Sequence, residues 1–274
     1  MIGKKWEEAL LDATERVRLR TSVLAQSGGR GRSVGRGASG DTTIFADKEA
    51  EDELLKVLER MEGVRVLSEE AGKVGNPGAP TLAVVDPLDG SSNFERGIPF
   101  YCTAVALIEG DSLRDISLAI VRDLVSGDVY VARRGRGARK NGKPIRTSKM
   151  SSPADAVVGV DLSRSSAHLV SGLSRLVSGV KRQVHMGANA LELCFVGDGR
   201  IDAFVDARGK MRITDFAAAY LILTEAGGVI TDVGGRSLNP EFDLEHRFSF
   251  VASANATLHK EILELMGASA AEEG

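Results

Sequence analysis

Hydropathy patterning predicts a mixed α/β protein, with an α+β first half rich in antiparallel hairpins and an α/β second half of alternating strands and helices. Three observations carry that reading. Short apolar runs with turn residues between them fill the stretch from Val64 to Gly142, whereas strand-like and helix-period segments take turns after Ala156. Between them lies Ser148–Pro153, short, polar and proline-terminated, the best candidate boundary, which divides the chain into 1–150 and 151–274.

The elements follow in order. Trp6, Leu10, Ala13 and Val17 recur at helical spacing and predict a helix over 4–24. Ser27–Gly40 is rich in glycine and arginine and reads as a flexible loop. Ala50, Leu54, Val57 and Leu58 predict a second helix over 47–61, with Asp47 as its cap. Val64–Leu67 and Leu82–Val85 have strand character, and each runs into carboxylates. Tyr101–Glu109 and Ile116–Val121 flank Gly110-Asp111 as a hairpin, and Val129–Ala132 with Asn141-Gly142 adds a strand and a tight turn. Beyond the boundary come strands at 156–160, 201–205, 229–231 and 248–251. Helices are predicted over 167–177, 188–196, 214–226 and 257–266.

The chain of 274 residues is 43% hydrophobic and 27% charged, with a net charge of −3. That balance argues against a broad nucleic-acid surface and against membrane binding. No signal peptide is expected, and no apolar run approaches the roughly 18 residues of a spanning helix. Cys102 and Cys194 lie in apolar runs, as buried thiols of a reducing cytoplasm do. His168, His185, His246 and His259 have no metal spacing, and Gly35–Gly40 fits G-x-G-x-x-G without the preceding strand that a dinucleotide site needs.

The chemistry concentrates at strand ends. In Leu82–Phe94 a buried strand delivers Asp86, Pro87 stops the pairing, Asp89 follows, and Gly90-Ser91-Ser92 lets backbone N–H groups converge. Such carboxylates can share hard cations and such N–H groups suit a phosphate oxygen; the competing reading is an Asx turn that caps its own backbone. Glu69-Glu70 ends another strand, and two acids side by side are either solvated or share a cation. Thr214-Asp215 before Ala217-Ala218-Ala219 reads as an N-cap with a first-turn acid, on a helix start slim enough for close approach.

Taken together, Asp86-Pro87-Leu88-Asp89-Gly90-Ser91-Ser92-Asn93-Phe94 resembles the D-P-[IL]-D-G-[ST]-x-N-[FY] signature of the inositol monophosphatase family of metal-dependent phosphatases. Thr214–Ala219 with Glu225-Ala226-Gly227-Gly228 resembles its second signature, W-D-x-A-A-G…E-A-G-G, and Arg134–Ala138 with Asn141-Gly142 its G-x-G-A-x-x-N-G hairpin. The matches span roughly residues 40–230 in the right order. Thr214 in place of tryptophan looks most like the archaeal-type enzymes with dual fructose-1,6-bisphosphatase and inositol-1-phosphatase activity. Ala219 replaces a glycine, Val184 stands where an arginine is common, and Arg208 takes the place of an acid in animal inositol phosphatases, which suits a more anionic substrate.

The resemblance implies a layered α-β-α-β-α sandwich with the active site between the two parts. It implies Mg²⁺ (Mn²⁺ also fits) in two to three ions, held by Glu69, Asp86, the carbonyl of Leu88, Asp89 and Asp215. Asp47, Glu69 and Ser91 are the implied catalytic residues, with Ser91 and Asp47 helping to deprotonate the attacking water. Asp89, Gly90, Ser91, Asn189 and Arg208 are the implied substrate contacts, with the helix start near Ala188 adding N–H groups for phosphate. The implied reaction is hydrolysis of a small sugar or inositol phosphomonoester by a cytoplasmic homodimer. A nucleotide 3′- or 2′-phosphatase and a non-catalytic partner-binding protein are the alternatives. The glycines and arginines of Ser27–Gly40 also suggest a mobile lid that orders when metal binds and brings Arg36 near the phosphate; the alternative is an exposed flexible loop without a role, which unchanged kinetics in an Arg36→Ala variant would favour.

Overall fold

Helix α1 (Lys4–Gln26) buries Leu10, Ala13, Val17 and Leu24 along one face, the spacing that places them on a single stripe. The computed structural model describes residues 4–27, 31, 33–40 and 42–271. A hairpin of β1 (Ser33–Arg36) and β2 (Thr42–Ile44) leads into α2 (Phe45–Leu58), whose Ala46, Ala50, Leu54 and Leu58 pack beside α1. Then come β3 (Val64–Ser68), β4 (Gly72–Val74), β5 (Thr81–Asp89), the short α3 (Ser91–Arg96), β6 (Cys102–Ile108), β7 (Ile116–Asp123), β8 (Val129–Arg133), β9 (Ala138–Lys140) and β10 (Lys143–Pro144). These strands form one sheet in the order β10-β9-β8-β7-β6-β5-β3-β4, antiparallel except for the β3–β5 pair.

The chain continues through β11 (Val157–Val160), α4 (Ala167–Gly172), α5 (Ser174–Gly179), β12 (Arg182–Val184), α6 (Asn189–Gly197), β13 (Ala203–Met211), α7 (Ala217–Glu225), β14 (Val229–Thr231), β15 (Phe248–Ser253) and α8 (Ala256–Ala271). Five strands pair here in the order β12-β11-β13-β15-β14, with β11 parallel to both neighbours and β15 antiparallel to both of its own.

Alternation along the strands separates the layers. In β5, Ala83 and Val85 join α1 and α2 in one cluster, while Leu82 and Val84 face α6 and α7 in another. In β13, Phe204 belongs to that middle cluster, whereas Ala203 and Val205 pack with Leu173, Leu176, Leu258 and Ile262 on α5, α8 and the α4–α5 junction. The order is helix, sheet, helix, sheet, helix. Both sheets are covered on both faces, which is why β5 is buried at all nine positions. None of the described helices is long and apolar enough to cross a membrane.

Several local expectations need correction. Part of the Ser27–Gly40 stretch is the β1 strand, hydrogen-bonded to β2, although Gly28, Gly29, Arg30 and Arg32 lie outside the described residues. The helix expected over 167–177 is two short ones that meet at Leu173, where Gly172 weakens continuation. Helix α2 starts at Phe45, so Asp47 is not its cap but its third residue, and Asp47 Oδ2 accepts the N–H of Ile44 at 2.7 Å. Helix α7 starts at Ala217, so Thr214 caps nothing and instead donates its hydroxyl to Asp215 Oδ1 at 2.9 Å. Pro87 interrupts β5 without ending it, since pairing with β6 resumes at Asp89 opposite Cys102.

Phe204 is fully buried between the sheets, with its ring edge-on to Phe250 at 5.4 Å between centroids. A Phe204→Ala substitution is expected to cost about 3–5 kcal/mol, read as a lower urea midpoint, whereas Val233→Ala at an exposed site stays within about 0.5 kcal/mol of the parent.

Candidate active site

A proline in the middle of β5 cannot donate to the sheet, and the resulting bulge between Asp86 and Asp89 brings both carboxylates to the same end of the strand. The N–H of Leu88 bonds back to Asp86 Oδ1 at 3.0 Å. Gly90 then turns the chain into α3 with φ +88°, and a Cβ there would sit 3.0 Å from the carbonyl oxygen of Phe100 and 3.1 Å from Cβ of Ala188. Only glycine satisfies both the angle and the space.

Around this turn lies a cleft of about 180 Å³ lined by Asp47, Glu69, Glu70, Asp86, Leu88, Asp89, Gly90, Ser91, Ser92, Gly187, Arg212 and Asp215. Glu69 arrives from the end of β3, parallel to β5, and Asp47 from the first turn of α2. Asp215 comes from the other sheet's side, between β13 and α7. One carboxylate oxygen from each of Glu69, Asp86 and Asp215 lies within 4.8 Å of the others. At an effective dielectric near 20, each such ionised pair repels by about 3–4 kcal/mol.

Burial and crowding act on these acids in one direction. Burial first, then the charges of Glu69, Asp89 and Asp215, push Asp86 well above the usual carboxylate range. Burial, then Asp215, does the same to Glu69, with Arg212 pulling the other way. Burial and Asp215 push Asp89 up to about 8, against the N–H groups of Ala190 and Asn189 that favour its ionised form. Burial pushes Asp47 up to about 7, and its Oδ1 is buried without a hydrogen-bond partner among the described residues. Clustered carboxylate oxygens that repel one another in a cleft are what a hard divalent cation requires, and they disfavour thiolate- or imidazole-seeking metals.

Other contacts hold the wall in place. Glu51, buried on α2, accepts the Ser68 hydroxyl at 2.6 Å and the Ala71 N–H at 2.8 Å, which fixes the Glu69–Glu70 turn. The link between β1 and β2 is pinned to the same turn, with Ala38 N–H on the Glu70 carbonyl and Ser39 N–H on that of Glu69. Glu192, fully buried on α6, accepts the N–H groups of Met186 and Gly187 at 3.0 and 2.9 Å. Asn93 spans to the same segment through the Met186 carbonyl at 2.7 Å.

Of the residues singled out from sequence, Asp47, Glu69, Asp86, Leu88, Asp89, Gly90, Ser91 and Asp215 share the cleft. Asn189 and Arg208 are not among its lining residues. The first N–H groups of α6 are turned to Asp89, with Ala190 N–H at 2.7 Å from Oδ2. Arg208 spends its guanidinium on Asp206 at 2.7 Å and Asp161 at 2.5 Å, and also reaches the Ser163 carbonyl. Sequence reasoning passed over Glu70 as a lining residue, Ser92, Gly187 and Arg212; the last shows only as an arginine between two buried apolar residues, Met211 and Ile213.

A five-layer sandwich whose strand ends gather buried acids around one glycine turn defines a class of protein with carboxylates that could hold a metal ion. The inositol monophosphatase family model matches residues 7–271. A fructose-1,6-bisphosphatase/inositol-1-monophosphatase of Methanothermobacter thermautotrophicus is 35% identical over 274 residues, 95% of this chain and 96% of that protein. A bifunctional NADP phosphatase/NAD kinase of Methanococcus maripaludis is 32% identical over 253 residues, 84% of this chain and 44% of that protein. A crystal structure of an inositol monophosphatase–fructose 1,6-bisphosphatase superposes with a TM-score of 0.84 at 30% identity, over 95% of this chain and 99% of that one. The chain belongs to the inositol monophosphatase family.

The pKa shifts set a pH dependence for the metal-free protein. A folded state whose acids titrate near 7 and 8 retains protons that the unfolded chain has already released above about pH 4. Stability therefore falls as pH rises through that interval. In EDTA the Tm is expected to drop between pH 5 and 8.5, and saturating Mg²⁺ is expected to flatten the slope; equal slopes with and without the cation would refute the assignment of these acids to a cation site.

Proposed function

We propose that this chain is a Mg²⁺-dependent phosphomonoesterase acting on a small sugar or inositol phosphate, fructose-1,6-bisphosphate or inositol-1-phosphate. The observation that carries the reading is the convergence of Asp47, Glu69, Asp86, Asp89 and Asp215 on one cleft beside the Gly90 turn. The relatives' names supply the substrate class. In this reading Glu69, Asp86, the Leu88 carbonyl, Asp89 and Asp215 hold two to three ions, Mg²⁺ or Mn²⁺. Bound there, the ions supply Lewis-acid polarisation of the phosphoryl group and a water of lowered pKa.

The chain's own groups do the rest. In this reading Asp47, whose Oδ1 has no hydrogen-bond partner among the described residues, and the Ser91 hydroxyl take the proton of an attacking water; both residues line the cleft. The N–H groups of Gly90 and Ser91, residues that line the cleft, bind the phosphate oxygens in this reading. The Glu192 and Asn93 bonds keep the Gly187 edge of the cleft from drifting.

The division into 1–150 and 151–274 belongs to the same proposal: the first part supplies Asp47, Glu69, Asp86 and Asp89, the second Asp215. A homodimer is proposed from the family. A cytoplasmic location is supported by Cys102 and Cys194, both buried and free. A second reading, NADP or 3′-phosphoadenosine 5′-phosphate as substrate, is favoured by the name of the Methanococcus maripaludis relative and by the dianionic character that such substrates share with bisphosphates.

The test is phosphate release from those four substrates with Mg²⁺ and with EDTA, on wild type and Asp89→Asn. Wild type is expected to release phosphate only with the cation. Asp89→Asn is expected to lose at least about 100-fold in kcat, while its metal-free Tm, read above pH 8 where Asp89 is ionised, is equal or higher, since one repelling charge is gone. A variant with wild-type turnover, or a folded wild type inert towards all four, would overturn the reading.

A further inference from the structure

Six carboxylates line the cleft and, among its described lining residues, one basic side chain, Arg212. Nothing in the chemistry above uses it. Arg212 stands one residue beyond β13 and three before Asp215, so the strand that leads to the second half's acid also brings in a guanidinium. Its Nη1 lies 2.5 Å from Glu69 Oε1, bridging positions 143 residues apart. Both side chains are largely withdrawn from water, at 16% and 15% exposure.

Such a pair is poised between two partners. While no cation is present, the guanidinium offsets part of the repulsion among the acids and favours ionised Glu69. A carboxylate oxygen that is engaged by a guanidinium is a poorer ligand for a divalent cation, because the two cations repel and compete for the same lone pairs. Two divalent ions would offset four of the six carboxylate charges and three would offset all six, so in either case a phosphate dianion adds uncompensated negative charge and favours a local positive group. The planar fork of arginine fits phosphate oxygens as well as it fits carboxylate.

We propose that Arg212 is the substrate-side cation of this centre: it holds Glu69 in the metal-free protein and passes to a phosphate oxygen of the substrate when a divalent cation takes over Glu69. The proposal rests on the phosphomonoesterase reading. It makes Arg212 a specificity residue whose two contacts exclude each other, so metal binding and phosphate binding become linked through one side chain.

The experiment uses Arg212→Gln and Arg212→Lys in the full chain, each checked for a native near-UV spectrum. Calorimetric titration with Mn²⁺ alone is expected to show about tenfold tighter binding in Arg212→Gln, since a competing charge is removed. Inorganic phosphate, titrated at saturating Mn²⁺, is expected to bind about tenfold more weakly. KM should rise by the same factor with kcat lowered less than about threefold, and Arg212→Lys should fall between the two. Unchanged phosphate affinity and KM in folded Arg212→Gln would overturn the proposal. So would weaker Mn²⁺ binding, which would make Arg212 a positioning residue that orders Glu69 for the ion. A wild type without metal-dependent turnover would instead overturn the phosphomonoesterase reading, while the Mn²⁺ titration would still report on the Arg212–Glu69 pair.

Discussion

Electrostatic repulsion among buried carboxylates is the constraint around which this molecule is arranged. Glu69, Asp86 and Asp215 offer oxygens within 4.8 Å of one another, and Asp47 and Asp89 share their cleft. A chain free to relax would splay such groups into water. Here each is carried by an element it cannot leave: Asp86 and Asp89 by a strand buried along its whole length, Glu69 by that strand's parallel neighbour. Asp47 is held by the Ile44 N–H and Asp215 by the Thr214 hydroxyl. The cost of assembling the acids is offset by burial of the hydrophobic clusters on both sides of the sheets.

That arrangement explains which parts of the molecule were legible in the sequence. Strands that are covered on both faces are runs of Val, Leu, Ile and Ala, so β5 to β7 stand out, and the Asn141-Gly142 turn announces itself through the positive φ of both residues. The acids at Asp86, Asp89 and Glu69 were legible because each follows such a run immediately. The short elements were not. Strand β4 has three residues and β12 three, and the β1–β2 hairpin is held by contacts to Glu69 and Glu70 that have no local signature.

The substrate side was the least legible part, for a physical reason. An arginine's role depends on which carboxylate reaches it, and that is settled by tertiary packing. Arg208 looked like an anion-binding residue by its position among relatives, yet Asp161 and Asp206 take its guanidinium. Arg212, four residues on along the same stretch of chain, is in the cleft and paired with Glu69. Similarly, the start of α6 has the N–H groups of an anion site, and in this structure they are turned to the Asp89 carboxyl group.

Protons and cations are thermodynamic rivals at this centre. The shifts that push Asp47 to about 7 and Asp89 to about 8 mean that the metal-free cleft lowers its charge by holding protons. A divalent ion bound by these acids would have to displace them, so metal affinity is expected to rise with pH over the interval in which metal-free stability falls. The two trends have one cause, and neither requires a change of fold. Substrate enters the same balance from the opposite side, since a phosphate dianion adds negative charge to a cleft that tolerates it only with cations in place. On the proposed ligand set, ion binding, proton release and phosphate binding are coupled through the same few carboxylates, and any group that changes their net charge moves all three together.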